Sequence, residues 1–300
     1  MVLRIIILST FIYSQFIQAQ DPYSINYSIE DGIPTSNIYS VFQEENGIIW
    51  FTTDVGIVKY NSKTFELINT NNGLSDNEVF KMNLDAKNRI WMLTLNGKSC
   101  YIYKSKIYNN QNNSLLKKIK GNGMCLNYFI DSKKTLYFTY SNGEIVSLDK
   151  NNIVKNYNLK SSSISGVWED NDEIYAFSSP YIYNISKNKI HKKLNLNKRH
   201  RLFHLNKSIY TTDGINLYTL NKDKIEIILQ LDKEHEIINV VEDTENSIWI
   251  CTRKGIFQLK NGLLSKPFFE DYIISSIIKD FEGNYWISTL NKGVLFVPSF

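Results

Sequence analysis

The side chains able to do chemistry are few and dispersed. His191, His200, His204 and His235 are the only imidazoles, and none stands in an H-x-H or H-E-x-x-H arrangement that would seat a metal. His200 and His204 are the one pair near enough in sequence to share an ion. They follow the basic run Lys198-Arg199-His200-Arg201, which repels a cation, so the histidines are read as surface or turn residues. Asp170 and Asp172 are paired carboxylates of the type used for acid–base work, but they sit in a hairpin turn and suit capping. Cys100, Cys125 and Cys251 are odd in number and lack metal-ligand spacing. Buried thiols are the favoured reading, with a Cys100–Cys125 disulfide as the alternative. No nucleophile elbow or phosphate loop occurs. The expectation is no catalytic residue, no metal and no cofactor.

What does recur is a scaffold pattern. The stretch "NGIIWFTTDVGIVKY" (46–60) has an acidic residue just before it, a tight turn, Trp50, a strand ending in Thr, a second turn and another strand. The same order returns from Asp85 with Trp91, from Asp243 with Trp249 and from Asp280 with Trp286. Weaker copies carry Tyr137, Tyr175 and Tyr210. These seven aromatics are spaced by about forty residues, the signature of a repeat architecture. A strand precedes each acidic turn (38–43, 79–84, 237–242, 274–279) and a more variable strand closes each copy (65–69, 107–109, 225–231). Connections this short pair neighbouring strands antiparallel. One small twisted sheet has two faces to bury, and radial packing covers both. The chain is therefore expected to be all-β: a seven-bladed β-propeller of four-stranded antiparallel blades. The aromatics Trp50, Trp91, Tyr137, Tyr175, Tyr210, Trp249 and Trp286 are its blade-packing wedges.

The ends of the chain bear on closure. The last copy stops after its third strand, whereas the segment 23–29, followed by Glu30-Asp-Gly-Ile-Pro-Thr-Ser-Asn37, resembles the fourth strand 65–69 and its sequel Asn71-Asn-Gly-Leu-Ser-Asp-Asn77. The N-terminal strand is expected to complete the seventh blade and close the ring.

Composition agrees. The chain is 43% hydrophobic and 13% aromatic, enough for a large core and against disorder. Its formal charge of +4 comes without the sustained basic stripe of a nucleic-acid binder, so no nucleic-acid partner is expected. Residues 1–19 combine a basic start, an apolar run and a small residue at Ala19, the form of a secretory signal peptide. Residues 20–300 would then be an exported, periplasmic or extracellular domain, with no second apolar stretch of membrane-spanning length.

Repeat positions that carry acids (Glu44, Asp85, Asp131, Asp170, Asp243, Asp280) are read as architectural, because a catalytic dyad needs asymmetry. Ligand candidates fall instead in the turns that enter the inner strand and join the second and third strands, which share one face. These are Ser36, Asn37, Thr53, Asp54, Asp76, Asn77, Arg253 and Lys254, with Asn96, Asn142, Asp213, Asn291 and Lys292 on the same ring. Amides, hydroxyls and mixed charge suit a glycan or peptide, although tight turns favour asparagine and glycine for their own reasons.

The phrases "EDGIPTSNIYSVFQEENGIIWFTTDVGIVKYN", "NNGLSDNEVFKMNLDAKNRIWMLT" and "IKDFEGNYWISTLNKGVLF" resemble the two-component regulator propeller repeat. The match is specific in copies one, two, six and seven and degenerate in three to five. That resemblance implies an extracytoplasmic sensor domain of a Bacteroidota-type histidine kinase, non-catalytic itself, with the kinase as partner in cis or in trans and dimerisation open. The family's membrane helix and kinase core have no counterpart in this sequence, which leaves either the sensor segment of a longer receptor or a stand-alone propeller. A secreted lyase- or hydrolase-like propeller and a non-catalytic interaction scaffold are the alternatives.

Overall fold

Period-two stretches rich in Ile, Val, Tyr and Trp, broken by Asn, Asp and Gly, build seven four-stranded antiparallel sheets. The computed structural model describes residues 21–300 except Lys120, Lys160, Ser162, Asn197, Asn206, Lys207, Glu245 and Asn246; the expected signal peptide lies outside the described residues. Blade 1 comprises Ile38–Gln43, Ile49–Thr53, Ile57–Tyr60 and Phe65–Ile68, and blade 2 comprises Val79–Leu84, Ile90–Thr94, Cys100–Tyr103 and Lys106–Tyr108. Blade 3 is Cys125–Ile130, Leu136–Tyr140, Glu144–Leu148 and Val154–Asn158. Blade 4 is Gly166–Asp170, Glu173–Ser178, Tyr181–Asn184 and Lys189–Lys193. Blade 5 is Arg201–Leu205, Ser208–Thr212, Asn216–Leu220 and Ile225–Gln230. Blade 6 is Ile237–Thr244, Ser247–Thr252, Ile256–Lys260 and Leu263–Leu264. Blade 7 takes Ile274–Lys279, Tyr285–Thr289 and Val294–Val297 from the C-terminus and Ile25–Tyr27 from the N-terminus. This is the seven-bladed propeller read from the repeats. Among the described residues no helix is long and apolar enough to cross a membrane.

The core is divided into seven wedges, each between neighbouring blades. Every repeat aromatic enters one of them. Trp50 packs with Met82 and Met92 of blade 2, and Trp91 with Phe138 of blade 3. Tyr137, Tyr175 and Trp249 bridge blades 3–4, 4–5 and 6–7. Trp286 joins blade 7 to Phe51 of blade 1. Tyr210 packs against the wedge between blades 5 and 6 and is only half-buried. Blade 4 adds Trp168 on its innermost strand, stacked on Tyr175 at 5.7 Å, an aromatic outside the repeat pattern.

The acidic turn residues hold the polar tips of these wedges. Asp85 Oδ2 accepts from Trp91 Nε1 (2.8 Å) while Oδ1 accepts the backbone N–H groups of Lys87 and Arg89. Asp280 does the same for Trp286 (3.0 Å) and its own turn, Asp131 accepts from the Tyr137 hydroxyl (3.2 Å), and Glu44 from Trp50 (3.2 Å). A buried indole N–H needs an acceptor, and a carboxylate that already caps the hairpin supplies one. Blades 4 and 6 vary the scheme. Tyr175 bonds Glu173, and Asp243 instead accepts from Gln258 and Tyr285.

Closure is antiparallel, with Ile25 opposite Phe296 and Tyr27 opposite Val294. After that strand, Ser28 and Asp31 form a reciprocal cap on a 3-10 turn ending at Gly32; after Phe65–Ile68, Asn69 and Asn72 form the same cap ending at Gly73. Ile33 and Leu74 then plug equivalent core positions. The N-terminal strand is thus built as a fourth strand.

Candidate functional site

The second strand of a blade ends in a threonine whose surroundings explain the T-x-x-G recurrence. Thr53 Oγ1 donates to the Gly56 carbonyl (2.8 Å) and accepts from Val55 N–H, and Thr252 and Thr289 repeat this with Gly255 and Gly293. Thr53 is fully buried, with its hydroxyl committed on both sides. It therefore holds its turn, with no surface of its own on the face where it was expected as a contact residue.

The other candidates are also engaged within the turn ring. Asn37 Nδ2 donates to Asp54 Oδ2 (2.9 Å), so the structure brings those two together; Asp54 Oδ1 is buried with no hydrogen-bond partner. Ser36 accepts the Gly293 N–H, Asp76 Oδ2 accepts the Asn96 N–H (2.9 Å), and Asn77 Oδ1 accepts the Thr70 N–H. Arg253 pairs with Glu236 at 2.6 Å and Lys254 with Glu234 at 2.8 Å.

A funnel of about 650 Å³ opens instead at the axis of the ring, on the face bearing these turns. None of Ser36, Asn37, Thr53, Asp54, Asp76, Asn77, Arg253 and Lys254 lines it, whereas Asp213 of the same ring does. Its wall has a local cause. In blades 1, 2, 3, 6 and 7 the innermost strand carries a bulge at one place, skipping Tyr39, Phe80, Leu126, Ile238 and Ser275. An extra residue in one strand is left unpaired and re-aimed. All five line the funnel, and the Tyr39 and Phe80 rings meet at 5.2 Å. The Tyr39 hydroxyl donates to Glu78 (2.5 Å), and burial together with that carboxylate raises its pKa.

Blades 4 and 5 lack the bulge and contribute the polar side: Ser165, Ser178, His200, Arg201, Thr212 and Asp213. His200 is buried rather than at the surface, against the sequence reading. Its ring lies 5.2 Å from Tyr218 and Nδ1 has no hydrogen-bond partner among the described residues. Burial lowers its pKa, with Asp213 opposing and Lys198 adding to the downward shift. Burial alone would raise Asp213, but hydrogen bonds from Asn216 and Ile215 and the charge of Lys198 hold it below the usual carboxylate range. Arg201 donates to the Ile237 carbonyl and lies 3.6 Å from Glu236. The result is an apolar collar facing a hydroxyl, imidazole and ion-pair wall, able to bind a small ligand by contact and hydrogen bonding together.

His204 is exposed and lines the channel deeper down, whereas His191 faces Asp223 at 3.3 Å on the outer rim. His235 packs edge-on against Phe257. Among the described residues no group of three or more His, Cys, Asp or Glu is placed to hold a metal. Asp170 pairs with Lys222 at 3.2 Å, and Asn171 and Asp172 take the positive φ angles of a tight hairpin turn, consistent with capping. All three cysteines are buried and free, and burial pushes the Cys125 thiol up to about 12.

Neither a protein-family model nor a curated protein matches the sequence. Solved structures do match in fold. The extracellular domain of BT3049 of B. thetaiotaomicron, described as a hybrid two component system, aligns with a TM-score of 0.75 at 16% identity over 92% of this chain and 42% of that one. The extracellular domain of BT4673 from the same organism, also described as a hybrid two component system, gives 0.74 at 14% identity over 93% and 43%. This chain thus spans less than half of either. A streptogramin B lyase aligns with a TM-score of 0.72 at 15% identity over 92% of this chain and 97% of its own. The likeness to two-component propellers first seen in the repeat phrases extends to the three-dimensional fold, which this chain also shares with a lyase.

Proposed function

We propose that this chain is an exported, non-catalytic sensor propeller that binds a small ligand in its axial funnel. It passes the signal to a histidine kinase, in cis or in trans, as part of a two-component system. The observation that carries this reading is the funnel itself. Its wall is made by five bulges at one repeat position, each of which turns a side chain toward the axis. The shared fold with two extracellular domains of two-component proteins supports the signalling half. A glycan or peptide suits the hydroxyl and ion-pair wall. Binding would shift the population between two arrangements of the propeller and its neighbour, in proportion to the difference in ligand affinity. The test is a thermal-shift screen of the purified protein against glycans and peptides, with Ile238→Trp as the partner variant. A ligand that raises the melting temperature of the wild type is expected to lose its effect when the introduced indole fills the funnel. An unchanged shift in the variant, or none across the panel, overturns the reading.

A second reading rests on His200. An imidazole on a cavity wall is a side chain of the type used in proton transfer, and the shared fold of the streptogramin B lyase makes a lyase-type propeller the natural rival. Consumption of a bound ligand by the wild type, abolished in His200→Gln, would decide for this rival.

A further inference from the structure

Beneath the collar the channel continues into a second cavity of about 710 Å³, which shares Tyr39, Phe80, Leu126 and Phe203 with the funnel above. Its basic wall residues are Lys81, His204 and Lys279, and no aspartate or glutamate is among the described residues that line it. Lys279 sits toward the lower rim with its ammonium 5.4 Å from the Tyr285 ring. Lys81 stands next to the bulged Phe80 on the innermost strand of blade 2 and has no ion-pair or hydrogen-bond partner among the described residues. Its side chain is exposed to the open channel, and the blades around it lower its pKa. His204 packs on Phe129 at 4.7 Å; desolvation lowers its pKa and the Lys81 charge adds to this. Two basic groups therefore converge in a confined space without a counter-charge, directly below an apolar waist. A channel wall with basic side chains and no carboxylate among the described residues is complementary to an anion, and a ligand anion is the partner the site lacks.

We propose that the channel takes a small amphiphilic organic anion, its apolar body held by Tyr39, Phe80, Leu126 and Phe203 and its head group received by Lys81 and His204. This rests on the axial channel being the ligand site. The head group is a carboxylate, sulfate or phosphate monoester, and the phenyl-bearing members of each class are the probes.

Isothermal titration of the purified protein with phenylacetate, phenyl sulfate and phenyl phosphate is the experiment, with phenylacetamide and inorganic sulfate and phosphate as controls. At least one aryl anion is expected to bind, with Lys81→Met and His204→Gln each weakening it tenfold or more and the neutral amide binding tenfold more weakly. Lys81→Met is expected to fold with an undiminished melting temperature, since Lys81 is exposed and without an ion-pair partner among the described residues; His204→Gln serves independently should it not fold. Equal binding of phenylacetamide and phenylacetate, or wild-type affinity in both variants, overturns the anion assignment while leaving a channel ligand in place. Inorganic sulfate binding as tightly as phenyl sulfate overturns the role of the apolar waist. If no aryl anion binds, the inference fails, and the sensor reading is then judged separately by the glycan and peptide screen with Ile238→Trp.

Discussion

Single carboxylates carry much of the ring. Asp85 is buried and serves Arg89 Nε (2.6 Å), Trp91 Nε1 and two backbone N–H groups at once. Removing one member of a buried charged pair strands the other, typically at about 3–5 kcal/mol. Asp85→Ala is accordingly expected to lower the free energy of unfolding by about that amount in urea denaturation; a loss below about 1 kcal/mol would refute the dual role. Glu173 illustrates the same economy at the surface. Hydrogen bonds from Lys187, Tyr175 and Asn184 depress its carboxyl to about 2. A depressed carboxylate contributes its stability above its unfolded value, and that contribution is lost as pH falls from the 4.5 region through about 2. In an NMR titration Glu173 is expected to titrate near 2 in the wild type and to move up toward 4.5 in Lys187→Ala. A normal value in the wild type would contradict the assignment. These residue roles were partly legible beforehand. Repetition of the acids announced architecture, but the second bond to each aromatic depends on hairpin geometry that a linear pattern lacks.

Among the elements, the strand Ile25–Tyr27 matters most. Tyr27 stacks on Trp286 (5.9 Å), its carbonyl approaches Gly293, and Asp21 Oδ1 accepts the Phe269 N–H (2.7 Å). A Cβ on Gly293 would fall 2.2 Å from the Tyr27 carbonyl oxygen, just as one on Gly56 would fall 2.3 Å from that of Ile68 in blade 1. Both glycines have positive φ, so the close approach is built the same way in a covalently continuous blade and in the closing one. Gly293→Ala is expected to cost more than about 1 kcal/mol through strain and clash together, and deletion of residues 21–30 to lower the melting temperature by well over ten degrees. An unchanged melting temperature in the deletion would show that the ring is not held by that strand. Strand positions were readable to within a residue or two in the regular blades, where Val79–Leu84 and Ile274–Lys279 coincide with their expected bounds. The bulges were overlooked although they leave a trace. Ile38 and Val41, Val79 and Met82, Ile237 and Val240, and Ile274 and Ile277 are buried at a spacing of three where a regular strand repeats at two. That offset is what turns Tyr39, Phe80, Leu126 and Ile238 toward the axis. The turn ring had been favoured as the site because its residues are polar, yet their polarity is spent on one another.

At the scale of the molecule, seven interblade wedges make a rigid ring, and the ring leaves one axial passage with two chemistries along it. The upper funnel has hydroxyls, an imidazole and an ion pair; the lower cavity has Lys81 and His204 without an opposing carboxylate among the described residues. On the proposed reading, a bound ligand would act by shifting how the propeller engages its neighbour. The most direct test of the account is a crystal structure of the protein with a ligand that raises its melting temperature. The expected result is ligand density on the axis, in contact with Tyr39, Phe80, Leu126 and Ile238. Density on the turn ring around Asn37, Asp76 and Arg253, or on the outer strands, with the channel empty, would contradict it.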